Sequence, residues 1–236
     1  MATHHLTRKD LKHDVVAETV EHQIDWFAAH KQNVTRYAII VVALVVVIGG
    51  GWSYRNYQIA NRQRALAEAM NVENAPVGQP SPTGGLSFAT EELRTVAAEK
   101  AFSKVLTSYP GDDEGFLAEF YLAGLDSDNG KMDLARRKYQ DVADHASANY
   151  ASLAKLALAQ LDFAQGKINE ARAVLKDLQD HPTDLVSKEQ ADITLAKGIA
   201  ATNPDEARKL LAPIAGKAGS TIAEIATTAL AEITKK

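Results

Sequence analysis

Histidine is the side chain best suited to bind a metal or move a proton near neutral pH. Five of the seven in this chain, His4, His5, His13, His22 and His30, fall within the first 30 residues. A helical zinc site needs two histidines four residues apart with an acid between them. No pair has that arrangement: His13 to His22 is nine residues and His22 to His30 eight, so their helical faces only partly coincide. They read as solvated side chains. Asp126-Ser127-Asp128-Asn129-Gly130 begins like a calcium loop, but its glycine is one position early and Arg137 stands where the bidentate carboxylate belongs. A turn with left-handed backbone at Asn-Gly is the better reading. Asp112-Asp113-Glu114 reads as the acidic first turn of a helix. Phosphate loops, nucleophile elbows and metalloprotease signatures are absent from the sequence. With no cysteine, thiol nucleophiles, disulfides and iron–sulfur clusters are excluded. The expectation is a protein that is not an enzyme, with no catalytic, cofactor-binding or metal-binding residues.

Helices must position these side chains, and the composition says where. The chain has 236 residues, a formal net charge of −4 and 46% apolar residues. That balance excludes a nucleic-acid binder driven by bulk charge and excludes global disorder. The apolar content is concentrated in Tyr37–Tyr54, which carries no charge and ends at Arg36 and Arg55. As a helix it spans roughly 27 Å, enough for a bilayer core. Its Val, Ile and Leu residues favour insertion by roughly 3–5 kcal/mol. Tyr37 at one end and Trp52, Tyr54 and Tyr57 at the other suit two headgroup boundaries. A buried strand would be shorter, and a buried helix would need a core that the polar flanks do not supply. A cleaved signal peptide would have a shorter, less acidic leader. Lys31 and Arg36 on one side nearly balance Arg55, Arg62 and Arg64 on the other, so charge leaves orientation undecided.

Residues 1–36 read as an amphipathic tail, with a helix from about Thr7 to Lys31 carrying Leu11, Val15, Val20, Ile24 and Phe27 at near-helical spacing. Residues 37–54 are the transmembrane helix and residues 55–72 a juxtamembrane helix. Residues 73–89, with three prolines between Pro76 and Pro82, read as a flexible linker. Residues 90–236 are helical with short breaks at Tyr109-Pro110-Gly111, Asp128-Asn129-Gly130, Gln165-Gly166, His181-Pro182, Asn203-Pro204 and Gly216–Ser220. The fold class is all-α.

That last region repeats itself. Leu134-Ala135-Arg136, Glu170-Ala171-Arg172 and Glu206-Ala207-Arg208 are spaced by 36 residues, and Tyr139, Leu175 and Leu211 follow in step. His145 and His181 are equivalents in this register, which argues against a catalytic pair. A fainter copy is Lys100-Ala101-Phe102, 34 residues before Ala135. These residues resemble the tetratricopeptide repeat. Its small residue early in the first helix matches Ala123 and Ala159. Its second small residue matches Ala135, Ala171 and Ala207, and its bulky residue matches Tyr139, Leu175 and Leu211. The resemblance implies a right-handed helical solenoid, with those eight residues packing the repeats.

A wider resemblance covers nearly the whole chain. Asp25-Trp26-Phe27-Ala28, the Gly-Gly-Gly-Trp-Ser-Tyr exit, the helix through Ala65-Leu66-Ala67 and the repeats are similar to the YfgM-like family. These are single-pass proteins of the bacterial inner membrane, associated with the Sec translocon and periplasmic chaperones. The resemblance implies a cytoplasmic N-terminus, a periplasmic C-terminal domain, and partners among translocon or chaperone components and unfolded clients, besides the lipid bilayer. Stacked repeats expose their first helices on a concave face. On this alignment the face carries the candidate peptide-binding residues Leu117, Phe120, Leu153, Leu156, Gln160, Phe163 and Ile199, suited to an apolar segment. The alternative for each is packing between helices. The C-terminal helix, with Ile222, Ile225, Leu230 and Ile233 on one stripe, either caps the repeats or fills the concave groove. The competing function is a scaffold of the cell envelope that self-associates through its repeats.

Overall fold

The computed structural model describes residues 31–79, 84–217 and 219–234. The amphipathic tail and its five histidines lie outside the described residues, apart from the tail's end from Lys31 onward. Nine helices are described, with no β-strand among them: α1 (Lys31–Glu73), α2 (Glu91–Ser108), α3 (Asp113–Asp128), α4 (Met132–His145), α5 (Ala148–Ala164), α6 (Ile168–Asp180), α7 (Lys188–Ile199), α8 (Pro204–Ala215) and α9 (Thr221–Thr234). The chain divides into two compact units, residues 1–59 and residues 60–236.

In the first unit the described residues belong to α1. This helix is long and apolar enough to cross a membrane, and the side chains from Tyr37 to Ile48 are exposed, none covered by protein. The segments read from sequence as a transmembrane and a juxtamembrane helix are one uninterrupted element of 43 residues. Gly49-Gly50-Gly51 stays helical within it.

In the second unit the last turns of α1 bury Leu66 and Ala69 against Ala98, Phe102 and Val105 of α2 and Ala118 and Leu122 of α3. Arg62 anchors the same contact through an ion pair with Asp112. Between α1 and α2 the Pro/Gly-rich segment is tied at its base. Val77 and Phe88 form a β-bridge: the Gly78 N–H donates to the Phe88 carbonyl at 2.9 Å, and the Phe88 N–H donates to the Pro76 carbonyl at 3.0 Å. Two backbone bonds therefore hold the ends of a segment that composition alone reads as a free spacer.

From α2 onward each helix packs on the next, and α3, α5, α7 and α9 also touch in succession. The even-numbered helices explain this order. Each buries three residues at i, i+4 and i+7: Ala98-Phe102-Val105, Ala135-Tyr139-Val142, Ala171-Leu175-Leu178 and Ala207-Leu211-Ile214. Alanine lets the neighbouring backbone approach, and the larger pair fills the space on either side. All eight residues expected to pack the repeats are buried. The first copy needs a correction. Its alanine is Ala98, 37 residues before Ala135, and Ala101 is only half-buried. Phe102 holds the position of Tyr139 rather than following the alanine directly.

Local signals set the helix ends. Thr90, Ser187 and Asn203 cap α2, α7 and α8 by accepting the N–H of Leu93, Gln190 and Glu206. Gly130 and Gly166 take φ of +75° and +73°, so the N–H of Lys131 and of Lys167 can each reach back 2.8 Å to the carbonyl of Asp126 and of Asp162. The break between α4 and α5, at Ala146-Ser147, has neither glycine nor proline and is invisible in composition. Gly115 serves close approach: a methyl group there would overlap the Tyr109 carbonyl oxygen, which is backbone and cannot swing aside.

Two substitutions and one control test this packing in chemical unfolding of the full chain in detergent. Gly115→Ala should lower stability by about 1–3 kcal/mol through forced displacement of the α3 start. Gly124→Ala, whose added methyl meets only the Tyr139 hydroxyl at ordinary contact distance, is the control and should stay near wild type. Leu175→Ala, at the fully buried centre of the α6 seam, should cost about 2–5 kcal/mol.

Candidate interaction groove

Asp126 and Asp112, singled out for chemistry, pair with cations of their own chain. Buried Asp126 pairs with Lys138 of α4 and lies 3.5 Å from the Lys131 ammonium, so its oxygens face cations of its own chain. Its equivalent 36 residues on, buried Asp162, pairs with Arg136. Asp112 of the acidic run pairs with Arg62. His145 and His181 each place Nδ1 against an acid one turn back, 3.2 Å from Asp141 and 3.1 Å from Asp177. Among the described residues no three His, Asp or Glu side chains stand close enough to hold a metal ion.

The arginines of the three Ala-Arg dipeptides share one task, each reaching to a helix later in the chain. Arg136 binds Asp162 and, at 3.1 Å, the Gln165 side-chain oxygen. Arg172 makes two parallel bonds of 2.7 Å to Glu206. That fork holds the Glu206 carboxyl below its ordinary range and raises the guanidinium. Arg208 pairs with Asp205 and reaches the Ile233 carbonyl of α9 at 3.5 Å.

The concave candidates divide between core and groove. Leu156 is 6% exposed and Ile199 0%, both in the core around α5 to α9, so neither is available to a ligand. Leu153 packs against that same core. Leu117 is half-buried against the α1–α2–α3 cluster. Phe120 belongs to an internal aromatic run: its ring lies 5.3 Å from Tyr139 and edge-on to Tyr121, which stacks on Phe102 at 4.8 Å. Burial pushes the Tyr139 hydroxyl up to about 12, with the nearby Asp128 charge adding to it. Helix α5 is buried around most of its circumference, so one helical stripe does not separate ligand-facing from core-facing positions.

Gln160 and Phe163 do line a groove. It holds about 610 Å³, and its other walls are Gln190, Ile193, Thr194, Lys197 and Gly198 of α7 with Thr221, Ile222 and Ile225 at the start of α9. Phe163, Ile193, Ile222 and Ile225 supply apolar surface, and Ile225 is 44% exposed. Gln160, Gln190, Thr194 and Lys197 supply amides, a hydroxyl and an ammonium. Gly198 permits this arrangement, because a methyl there would overlap the Phe163 ring. Helix α9 packs on α8 and touches α7, so it forms one wall of the groove instead of filling it. Sequence reasoning missed the α7 and α9 members. Gln190, Thr194 and Lys197, at i, i+4 and i+7, were the available signal of a polar stripe beside an apolar one. A second hollow, about 850 Å³, lies between Lys197, Pro204 and Arg208 and the end of α9.

This arrangement has no nucleophile poised beside a base; it offers apolar contact and neutral hydrogen bonding on helices locked by their own ion pairs. Neither a curated protein nor a solved structure matches the chain. Residues 25–209, well over half of the sequence, match the tetratricopeptide repeat-like domain family, whose repeats typically serve protein interaction without catalysis. With buried Ala-bulky-aliphatic seams recurring on four successive even-numbered helices, the chain belongs to the tetratricopeptide repeat-like domain family.

Proposed function

We propose that the chain is a membrane-anchored protein-interaction module whose groove between α5, α7 and α9 takes an apolar polypeptide segment. The observation that carries this reading is the groove itself, with three exposed or half-buried apolar side chains beside two amides and an ammonium. An extended or helical peptide would place apolar side chains on Phe163, Ile222 and Ile225, give its backbone groups to Gln160 and Gln190, and set an acidic side chain near Lys197. The apolar stretch of α1 crosses a bilayer once, with residues 1–36 cytoplasmic and the repeats, arranged as a right-handed solenoid, on the periplasmic side of a bacterial inner membrane. The resemblance to the YfgM-like family supports this placement and points to the Sec translocon and periplasmic chaperones, or their unfolded clients, as partners.

Two experiments test the reading. A photo-crosslinking amino acid at position 160, which lines the same groove and leaves Phe163 in place, should in cells yield adducts with translocon or chaperone components or with exported polypeptides. Ile225→Glu should reduce those adducts at least tenfold with no loss of thermal stability, and Gly198→Ala should reduce them by driving the Phe163 ring into the groove. Undiminished adducts in both variants would remove the groove from the binding site. A phosphatase that folds only outside the cytoplasm, fused after the last residue, should be active; an inactive fusion at normal abundance would reverse the topology.

A further inference from the structure

The groove and the second hollow have one residue in common. Lys197, in the last turn of α7, lines both the groove of about 610 Å³ and the hollow of about 850 Å³. On α7 the groove is lined by Gln190, Thr194 and Lys197, and the hollow by Lys197 and by Ala201 just past the helix end. On α9 the groove takes Ile222 and Ile225, and the hollow takes Ala229 and Ile233. These positions recur at i, i+4, i+7 and i+11 on α7 and at i, i+3, i+7 and i+11 on α9, so each set is one face of one helix. The groove and the hollow are therefore consecutive stretches of a single trough along α7 and α9.

We infer that this trough takes an extended polypeptide segment in which an apolar stretch adjoins one or two acidic residues. The inference rests on the groove reading above and extends it to the length and charge of the partner. Along α9 the lining runs from Thr221 to Ile233, about 18 Å at ~1.5 Å per residue. An extended chain covers that length with about six residues, at ~3.3 Å each. Extended backbone is favoured over helix because Gln160 and Gln190 line the apolar half with side-chain amides. An extended segment has free N–H and carbonyl groups to give them, whereas a helix has already paired its own.

Charge complementarity sets the acidic end. Lys197 is the one charged residue lining the groove, and it stands where the groove meets the hollow. It is exposed and, among the described residues, pairs with no acid. The hollow adds a second cation, Arg208, and one acid, Glu232. Arg208 bonds Asp205, whose side chain is 84% exposed, and the Ile233 carbonyl at 3.5 Å. A pair with so exposed a partner contributes little and is readily exchanged for a ligand carboxylate. With two cations against one acid, the hollow suits one or two carboxylates and not a long acidic run. Ala200, Pro204 and Ala229 supply hydrocarbon beside those charges for the backbone of the segment to lie on.

Fluorescence anisotropy of short labelled peptides reads this preference, with the full chain in nanodiscs of neutral phosphatidylcholine and empty discs as the blank. Each peptide joins a Leu-Val-Leu triplet to two variable residues, in both orders, and the tighter order is compared. The variable residues are aspartates, asparagines or lysines. At low salt the aspartate peptide should bind about fivefold tighter than the asparagine peptide, and the lysine peptide about fivefold weaker. That order runs against the net charge of −4, which attracts cationic peptides without specificity. Lys197→Gln should cut the gain from aspartate below about twofold, and Lys197→Glu should make the lysine peptide the tightest. Lys104→Gln, at an exposed position of α2 outside the trough, should keep the wild-type order. An asparagine peptide that binds and is lost in Ile225→Glu, with no gain from aspartate or with the full gain kept in Lys197→Gln, would overturn the acidic subsite and leave the groove reading standing. Failure of all three peptides to bind would overturn both.

Discussion

The second unit rests on one steric allowance, the alanine that opens each buried triplet of the even-numbered helices. Ala135, Ala171 and Ala207 have no exposed surface and Ala98 almost none. A larger side chain at any of them would separate neighbouring helices and strip the following bulky residue of its contacts. The bulky residue varies (Phe102, Tyr139, Leu175, Leu211) because the space it fills is bounded partly by the preceding helix, which varies with it. Close approach is the fixed quantity, and volume is adjusted around it.

Polar contacts are added on top of this seam and differ from copy to copy. Arg136, Arg172 and Arg208 occupy one register position and use three different acceptors: a buried aspartate, a glutamate held by a fork, and a carbonyl. Half-exposed pairs of this kind contribute little to stability individually. They orient the helices instead, since each cation has one acceptor geometry to satisfy. Buried Asp126 and Asp162 matter more, because a carboxylate out of water without its cation would be strongly destabilising. The ion pair of Asp126 also accounts for the first residue of the run that, in sequence, begins like a cation loop.

Most of the architecture was legible because alanine recurring at a fixed interval is the mark of a close helix contact made again and again. The 36-residue period gave the seams of α4, α6 and α8 directly. It misplaced the first copy, where the interval is 37 residues and the partner helix is the tail of an apolar element read as something else. The turn at Ala146-Ser147 was hidden because a tight helix-to-helix connection there uses extended backbone that ordinary residues adopt. The groove was half legible. Gln160 and Phe163 could be placed by periodicity, but Leu156, one turn before Gln160 on α5, and Ile199 of α7 are enclosed in the core. Ile222 and Ile225 could not be found that way, because whether α9 fills or walls the groove depends on tertiary packing.

Helix α9 has a consequence beyond the groove. It follows α3, α5 and α7 in the succession of touching helices, yet no helix follows it among the described residues as α4, α6 and α8 follow the others. Its buried edge is Ala223, Ala226, Ala229 and Ile233, while Glu224, Thr227, Thr228 and Glu232 face water. A helix packed there would have hydroxyls and carboxylates to desolvate, with Ile225 the one large apolar side chain exposed beside them. The polar side of α9 thus disfavours a further helix packed there, and the exposed hydrocarbon of Ile225 stays with the groove.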